Sequence, residues 1–369
     1  MTTPHRRPSA LVAVLALIVA TLFFAPPAEA QSNPYERGPD PTLSLVEGSG
    51  PYSTSTSSVS SFVSGFGGGT IYYPTGTNET FGGVVVSPGF TASTSSMAAF
   101  SNRVASHGFV VLAIDTNSIF NQPNSRGSQL LAAADWLASS SPPSVVQARL
   151  DSNRMAVSGH SMGGGGSLAA SNSRDSLLAS VPLTAWHTTK TWSSNTVPQM
   201  IIGAENDSTA SVSSHSIPFY EGLPNSTPKM YVELDGAGHF APNYTNSDIS
   251  AMSVSWFKRW VDNDARYNRF LCGEDAPTAS SGFFADFSDV RDNCELGWGE
   301  GDPGNGDPGD PGEPQCVTAT NSQHADAGRA VQPFIYYYAV GSGDFLGFGS
   351  STTSLQQTGD DEWSRVSSC

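Results

Sequence analysis

Residues 159–163 read Gly-His-Ser-Met-Gly, a G-x-S-x-G pentapeptide preceded by the apolar run Met155-Ala156-Val157 and followed by Gly164-Gly165-Gly166-Ser167-Leu168-Ala169-Ala170. A strand that turns sharply into a helix of small residues holds its central serine exposed, and flanking glycines let the backbones pass closely. Ser161 at such a turn presents its hydroxyl at a helix N-terminus, beside an N–H able to stabilise an oxyanion. A serine hydroxyl is a weak nucleophile unless a base takes its proton. The chemistry indicated is acyl transfer, and it demands a histidine and an orienting acid elsewhere in the chain.

At strand-turn-helix sites of this type the acid and then the histidine follow the serine in chain order. Met200-Ile201-Ile202-Gly203-Ala204 is a buried-strand pattern, and Glu205-Asn206-Asp207 follows it. Lys229-Met230-Tyr231-Val232-Glu233-Leu234 is the next strand-like run, leading into Asp235-Gly236-Ala237-Gly238-His239. Both candidates thus lie at C-terminal ends of strands, the edge where open α/β sheets place ligands. Of the seven histidines, His5 lies in a leader segment, His324 lies beyond a linker, and His107 precedes a strand on the far edge. His160 adjoins Ser161 with its side chain turned away, and His187 and His215 lack the strand-loop context in the right order. His239 is therefore the expected base. Glu205 and Asp207 compete as orienter, with Asp207 favoured.

Phe81-Gly82-Gly83-Val84-Val85-Val86 reads as a strand with the loop Ser87-Pro88-Gly89-Phe90-Thr91 beyond it. That loop is the usual source of the second oxyanion donor, so the backbone N–H groups of Phe90 and Met162 form the expected pair. Around these loops, strand runs alternate with helix candidates at 95–106, 127–139 and 248–261 after a hairpin-like start. The last carries Ile249, Met252, Val254, Trp256, Phe257, Trp260 and Val261 on a broad apolar face. Alternating β and α predicts a mostly parallel sheet covered on both faces, the α/β-hydrolase architecture.

Residues 1–30 carry Arg6-Arg7, an apolar run from Leu11 to Ala25 and then Ala28-Glu29-Ala30, the pattern of a secretory signal peptide. The run is short for a membrane span. The chain has 17 basic and 33 acidic residues, a net charge of −16. Such a surface disfavours nucleic acid and anionic membranes as partners. A secreted, extracellular protein facing a neutral or hydrophobic substrate is expected.

The stretches Asn33-Pro34-Tyr35-Glu36-Arg37-Gly38-Pro39, Gly65-Phe66-Gly67-Gly68-Gly69-Thr70-Ile71-Tyr72-Tyr73-Pro74, Ser106-His107-Gly108-Phe109-Val110-Val111 and Gly159-His160-Ser161-Met162-Gly163-Gly164-Gly165-Gly166 together resemble the bacterial cutinases, the family that includes poly(ethylene terephthalate) hydrolases. The resemblance runs from about residue 33 to Cys294. It implies a catalytic set of Ser161, Asp207 and His239 and an oxyanion hole from Phe90 and Met162. It further implies substrate contacts from Phe90, Trp186, Thr209 and Phe240. Glu205, Asp235 and Asp286 match positions where thermostable relatives bind calcium, and three carboxylates suit that hard cation. Catalysis is expected to need no cofactor. Departures from the family pattern include Phe90 where tyrosine is frequent, Ala210-Ser211 where Ala-Pro is usual, and Gly238 where serine is common. Ala204 and Ala241 stand where one branch carries a second disulfide.

Residues 31–298 are long enough for one large core. From Gly299 to Pro314 the chain repeats Asp-Pro-Gly with no apolar residue, an extended solvated linker. Residues 315–369 then form a small module with Phe334-Ile335-Tyr336-Tyr337-Tyr338-Ala339-Val340 and Phe345-Leu346-Gly347-Phe348-Gly349, a β-rich aromatic pattern. The linker separates four cysteines into local pairs, Cys272 with Cys294 and Cys316 with Cys369. The first pair matches the bridge of the family. The module is expected either to adhere to insoluble polymer through exposed aromatics or merely to bury them as its core.

The expectation from all of this is a monomeric ester hydrolase acting on polyesters or small esters, its activity rising as His239 loses its proton toward alkaline pH. A triacylglycerol lipase or carboxylesterase is the nearest alternative. A polymer-binding protein with a dead hydrolase domain is the more distant one.

Overall fold

A computed structural model of the chain describes residues 33–280, 286–298, 316–326, 329–332, 336–340, 342–359 and 362–367. The expected signal peptide, the linker and Cys369 lie outside the described residues.

Nine strands form one sheet: β1 (Ser53–Val59), β2 (Gly69–Thr75), β3 (Phe81–Ser87), β4 (Val110–Ile114), β5 (Leu150–His160), β6 (Ala179–Leu183), β7 (Gln199–Ala204), β8 (Lys229–Leu234) and β9 (Phe287–Asp292), in the order β1-β2-β4-β3-β5-β6-β7-β8-β9. Neighbours from β4 through β8 in that order pair in parallel. Antiparallel pairing closes both ends: β1 with β2, β2 with β4, and β8 with β9. The central strands read VVV, VVLAI and MII because both faces are covered, and all five residues of β4 are buried.

The helices are α1 (Leu43–Glu47), α2 (Ala98–Ser106), α3 (Pro123–Ala138), α4 (Ser144–Gln147), α5 (Met162–Ser173), α6 (Ser216–Glu221) and α7 (Ser247–Val261). Two large apolar clusters lie on opposite sides of the sheet. One gathers Val84, Val86, Val111, Trp256 and Phe257 under α2 and α7; the other gathers Val85, Leu112, Val157, Leu130 and Leu137 under α3. This is the mostly parallel, two-sided α/β-hydrolase fold. Helix α3 begins at Pro123, four residues before the apolar pattern expected at 127: proline's fixed φ suits the first helical position, and the polar residues 123–126 carry no apolar signal. Cys272 and Cys294 are disulfide-bonded with Cα atoms 5.9 Å apart, joining the segment after α7 to the segment after β9.

Residues beyond 315 build β10 (Cys316–Thr320), α8 (Asn321–Asp326), β11 (Ala330–Val331), β12 (Tyr337–Ala339), β13 (Phe345–Gly347), β14 (Thr352–Gly359) and β15 (Glu362–Val366). These make two three-stranded antiparallel sheets, β10-β14-β15 and β11-β12-β13. Ala330, Tyr337, Ala339, Leu346, Leu355 and Trp363 form their core. The β-rich aromatic reading holds, while α8 was not foreseen. It is fixed by buried Asn321, whose Nδ2 donates to the carbonyls of Leu346 and Phe348 at 2.8 Å each, bonds that a linear pattern cannot reveal. The expected Cys316–Cys369 pair cannot be placed, since Cys369 lies outside the described residues.

Candidate active site

Ser161 sits between β5 and α5 with φ 55° and ψ −120°, a left-handed conformation that non-glycine residues rarely adopt. The turn is tight because the glycines around it admit no side chain. A Cβ on Gly159 would lie 2.7 Å from the Ser87 carbonyl oxygen, and one on Gly163 would lie 2.2 Å from the same atom. The strained serine is held by its own main chain. Its N–H donates to Leu183 O at 3.0 Å, and its carbonyl accepts from Trp186 N–H at 2.9 Å.

Asp207 follows β7 and His239 follows β8, and the three side chains meet. His239 Nε2 lies 2.9 Å from Ser161 Oγ, and His239 Nδ1 lies 2.7 Å from Asp207 Oδ2. All three residues are buried. Asp207 Oδ1 accepts from the N–H groups of Thr209 and Ala210 at 2.8 and 2.7 Å. Burial would raise the Asp207 carboxyl, but the His239 bond and these two amides outweigh it and hold the group below its ordinary value. An ionised acid facing Nδ1 fixes the tautomer that leaves Nε2 free to take a proton from Ser161. Glu205, the competing acid, is exposed and accepts from Gly236 N–H at 2.9 Å, away from the row.

His239 is also steadied from behind, by His160, which the sequence reading set aside, and by Thr184. Its carbonyl accepts from Thr184 Oγ1 at 3.0 Å and bonds His160 Nε2 at 2.9 Å. Burial pushes the His160 imidazole down to about 4, and the neighbouring His239 adds to the shift, so His160 is neutral at working pH. His160 does turn away from Ser161, as expected, and thereby reaches the base. No signal in the sequence marks Thr184 for this role.

Met162 opens α5, so its N–H has no carbonyl within the helix to meet. Phe90 lies in the turn after β3, on the same side of the sheet. Phe90 and Met162 thus follow the adjacent parallel strands β3 and β5. Around the row, Phe90 is 43 % exposed and Phe240 is 60 % exposed. Phe240 meets the His239 ring edge to face at 5.2 Å. Trp186 is half-buried and stacks on His215 at 5.9 Å, and Thr209 is exposed on the Asp207 loop. One more aromatic, absent from the sequence reading, joins this rim: Phe120 is 61 % exposed and packs edge to face on Phe90 at 5.8 Å.

Of the acids expected to bind calcium, Glu205 follows β7, Asp235 follows β8 and Asp286 precedes β9. Asp235 N–H donates to the Asp286 carbonyl at 3.1 Å, so the backbones are adjacent. Asp286 also lines a cavity of about 190 Å³ with Glu47, Asp248 and Asp275, and Glu205 accepts from Gly236 N–H. Among the described residues no group of three or more His, Cys, Asp or Glu side chains could hold a metal ion.

The family profile described as "PET hydrolase-like" matches residues 29–295. The chain is 50% identical over 296 residues to a bis(hydroxyethyl) terephthalate hydrolase of Streptomyces coelicolor, covering 79% of this chain and 93% of that protein. It is 51% identical over 299 residues to cutinase est1 of Thermobifida alba (80% and 99% covered) and 49% identical over 302 residues to cutinase cut1 of Thermobifida fusca (79% and 92% covered). A serine, histidine and carboxylate in one hydrogen-bonded row, on this fold and with this kinship, identify the chain as a carboxylic ester hydrolase of the PET hydrolase-like family.

Proposed function

We propose that the chain is a secreted, monomeric serine hydrolase that cleaves ester bonds of polyesters through an acyl-enzyme, with cutin, aliphatic polyesters and poly(ethylene terephthalate) as substrate classes. The observation that carries this reading is the Ser161–His239–Asp207 row set in a rim of exposed aromatic rings. His239 Nε2 takes the Ser161 proton as Oγ attacks the ester carbonyl, and Asp207 stabilises the imidazolium. The carbonyl oxygen, now negative, is held by the Phe90 and Met162 amides. The imidazolium then gives its proton to the departing alcohol, water enters, and the same steps release the acid. Every group in this cycle belongs to the chain, and catalysis needs no cofactor.

Phe90, Trp186 and Phe240 offer flat apolar faces to a ring or an acyl chain, and Thr209 borders them. Among the described residues no helix is long and apolar enough to cross a membrane, and the leader of residues 1–30 supports export. The test is product analysis after incubation with aliphatic and aromatic polyester films. Release of soluble acids and half-esters, lost in Ser161→Ala, is expected. Turnover confined to long-chain triacylglycerols would favour a lipase instead.

The organisation that fits is a catalytic domain over 31–298, a linker over 299–314 and a surface-binding module over 315–369. Tyr336, Phe345 and Phe348 support adhesion: they are 36, 51 and 55 % exposed, and the Tyr336 ring lies 5.4 and 5.1 Å from the other two. A contiguous exposed aromatic patch is unusual on a protein with no apolar partner. In the full-length chain, Phe345→Ser with Phe348→Ser should lower adsorption to polyester film several-fold while turnover of a soluble ester is unchanged. Equal adsorption ends this reading.

A Ca²⁺ ion that draws Glu205, Asp235 and Asp286 together would stabilise the fold and take no part in the chemistry. The adjacency of the Asp235 and Asp286 backbones supports it. A melting temperature that rises with calcium and falls with chelator is expected, and indifference to both disposes of it.

A further inference from the structure

Arg126, in the first turn of α3, is wholly buried, and its guanidinium donates to three main-chain carbonyls. Nε reaches Asn121 O at 2.8 Å, Nη1 reaches Pro88 O at 3.0 Å, and Nη2 reaches Ile119 O at 2.9 Å. The first and third acceptors flank Phe120 in the loop after β4. Pro88 lies two residues before Phe90 in the loop after β3. The two loops are joined elsewhere as well: Thr91 N–H donates to the same Ile119 carbonyl at 2.9 Å, and the Phe90 and Phe120 rings touch. The nucleophile helix forms the third wall. A Cβ on Gly166 would stand 2.9 Å from Arg126 Cβ, and one on Gly163 would stand 2.5 Å from the Pro88 oxygen.

One side chain therefore ties both loops down against the helix that carries Met162. We propose that Arg126 is a positioning residue for the oxyanion hole, its three-carbonyl grip holding the Phe90 amide in register with the Met162 amide. The inference rests on the assignment of Ser161, Phe90 and Met162 made above. Burial pulls the guanidinium pKa down to about 10, so it stays charged at neutral pH, and a charged donor binds a carbonyl more strongly than a neutral one. The geometry suits arginine alone. Its planar fork reaches three divergent oxygens at once, whereas a lysine ammonium is a single point.

The test uses the full-length protein and a soluble nitrophenyl ester. Arg126→Met should lower kcat about 100-fold, the loss that follows removal of one oxyanion donor, with KM changed less than about threefold. Affinity for an aryl boronic acid, whose tetrahedral serine adduct occupies the hole, should fall by the same factor as kcat/KM. Arg126→Lys should recover part of kcat, and it carries the test if the methionine variant does not fold. Leu137→Ala, a cavity in the same helix about three turns from the clamp, should lower the melting temperature and leave kcat intact. A kcat within threefold of wild type in both Arg126 variants overturns the proposal, as does an equal loss in Leu137→Ala. If the wild type itself turns over no ester, the active-site assignment fails first, and that result is distinct from either.

Discussion

The carboxylate of Asp207 divides its two oxygens between tasks: Oδ1 is fixed by two amides, and Oδ2 faces the imidazole. Asp207→Asn keeps that position yet removes the charge and favours the wrong tautomer of His239. A loss of about 10⁴-fold in kcat on a soluble ester is expected, with the folded structure intact by circular dichroism. The other histidines near the row set the shape of the pH profile. His160 and His187 are pushed down to about 4 by burial, with a neighbouring positive charge adding to each shift; His215 is lowered for the same reasons. His160 and His187 are already neutral where the enzyme works and add no proton loss of their own. The acid limb of log(kcat/KM) against pH should therefore have a slope of one. A slope of two would mean that a second cleft histidine titrates with it.

At the scale of elements, the elbow between β5 and α5 depends on an absence of side chains. Gly163→Ala forces a methyl into the Ser87 and Pro88 carbonyls, which are backbone and cannot step aside. A loss of about 3 kcal/mol is expected, or roughly 6–12 °C in melting temperature. The Cys272–Cys294 bridge closes a loop with a sequence separation of 22, and replacing both by serine should cost about 3 kcal/mol. Differential scanning calorimetry under oxidising and reducing conditions checks this. The elbow, the strands and the order of acid and base were legible because each leaves a local mark: a G-x-S-x-G, an apolar run, a loop after it. Arg126 left none. An arginine among Pro123-Asn124-Ser125 and Gly127-Ser128 looks like an ordinary solvated residue, and only the convergence of two distant loops upon it buries it.

For the molecule as a whole, buried neutral histidines shape tolerance to acid. His107, His160 and His187 are each held near 4 by burial, whereas in the unfolded chain they protonate near 6.5. Between those values the unfolded state carries more protons than the folded one, so stability drops as pH falls from about 6.5 to about 4. Chemical denaturation at stepped pH should show an uptake of about two to three protons on unfolding in that window. Stability that stays flat down to pH 4.5 would contradict the burial of these rings.

The reacting atoms are contributed by residues far apart in the chain: His239 lies 78 positions after Ser161 and 32 after Asp207. The staple at Cys294 comes later still. A chain still emerging during synthesis consequently carries its serine as an inert side chain. Ester turnover returns during refolding only when the last third of the sheet has docked.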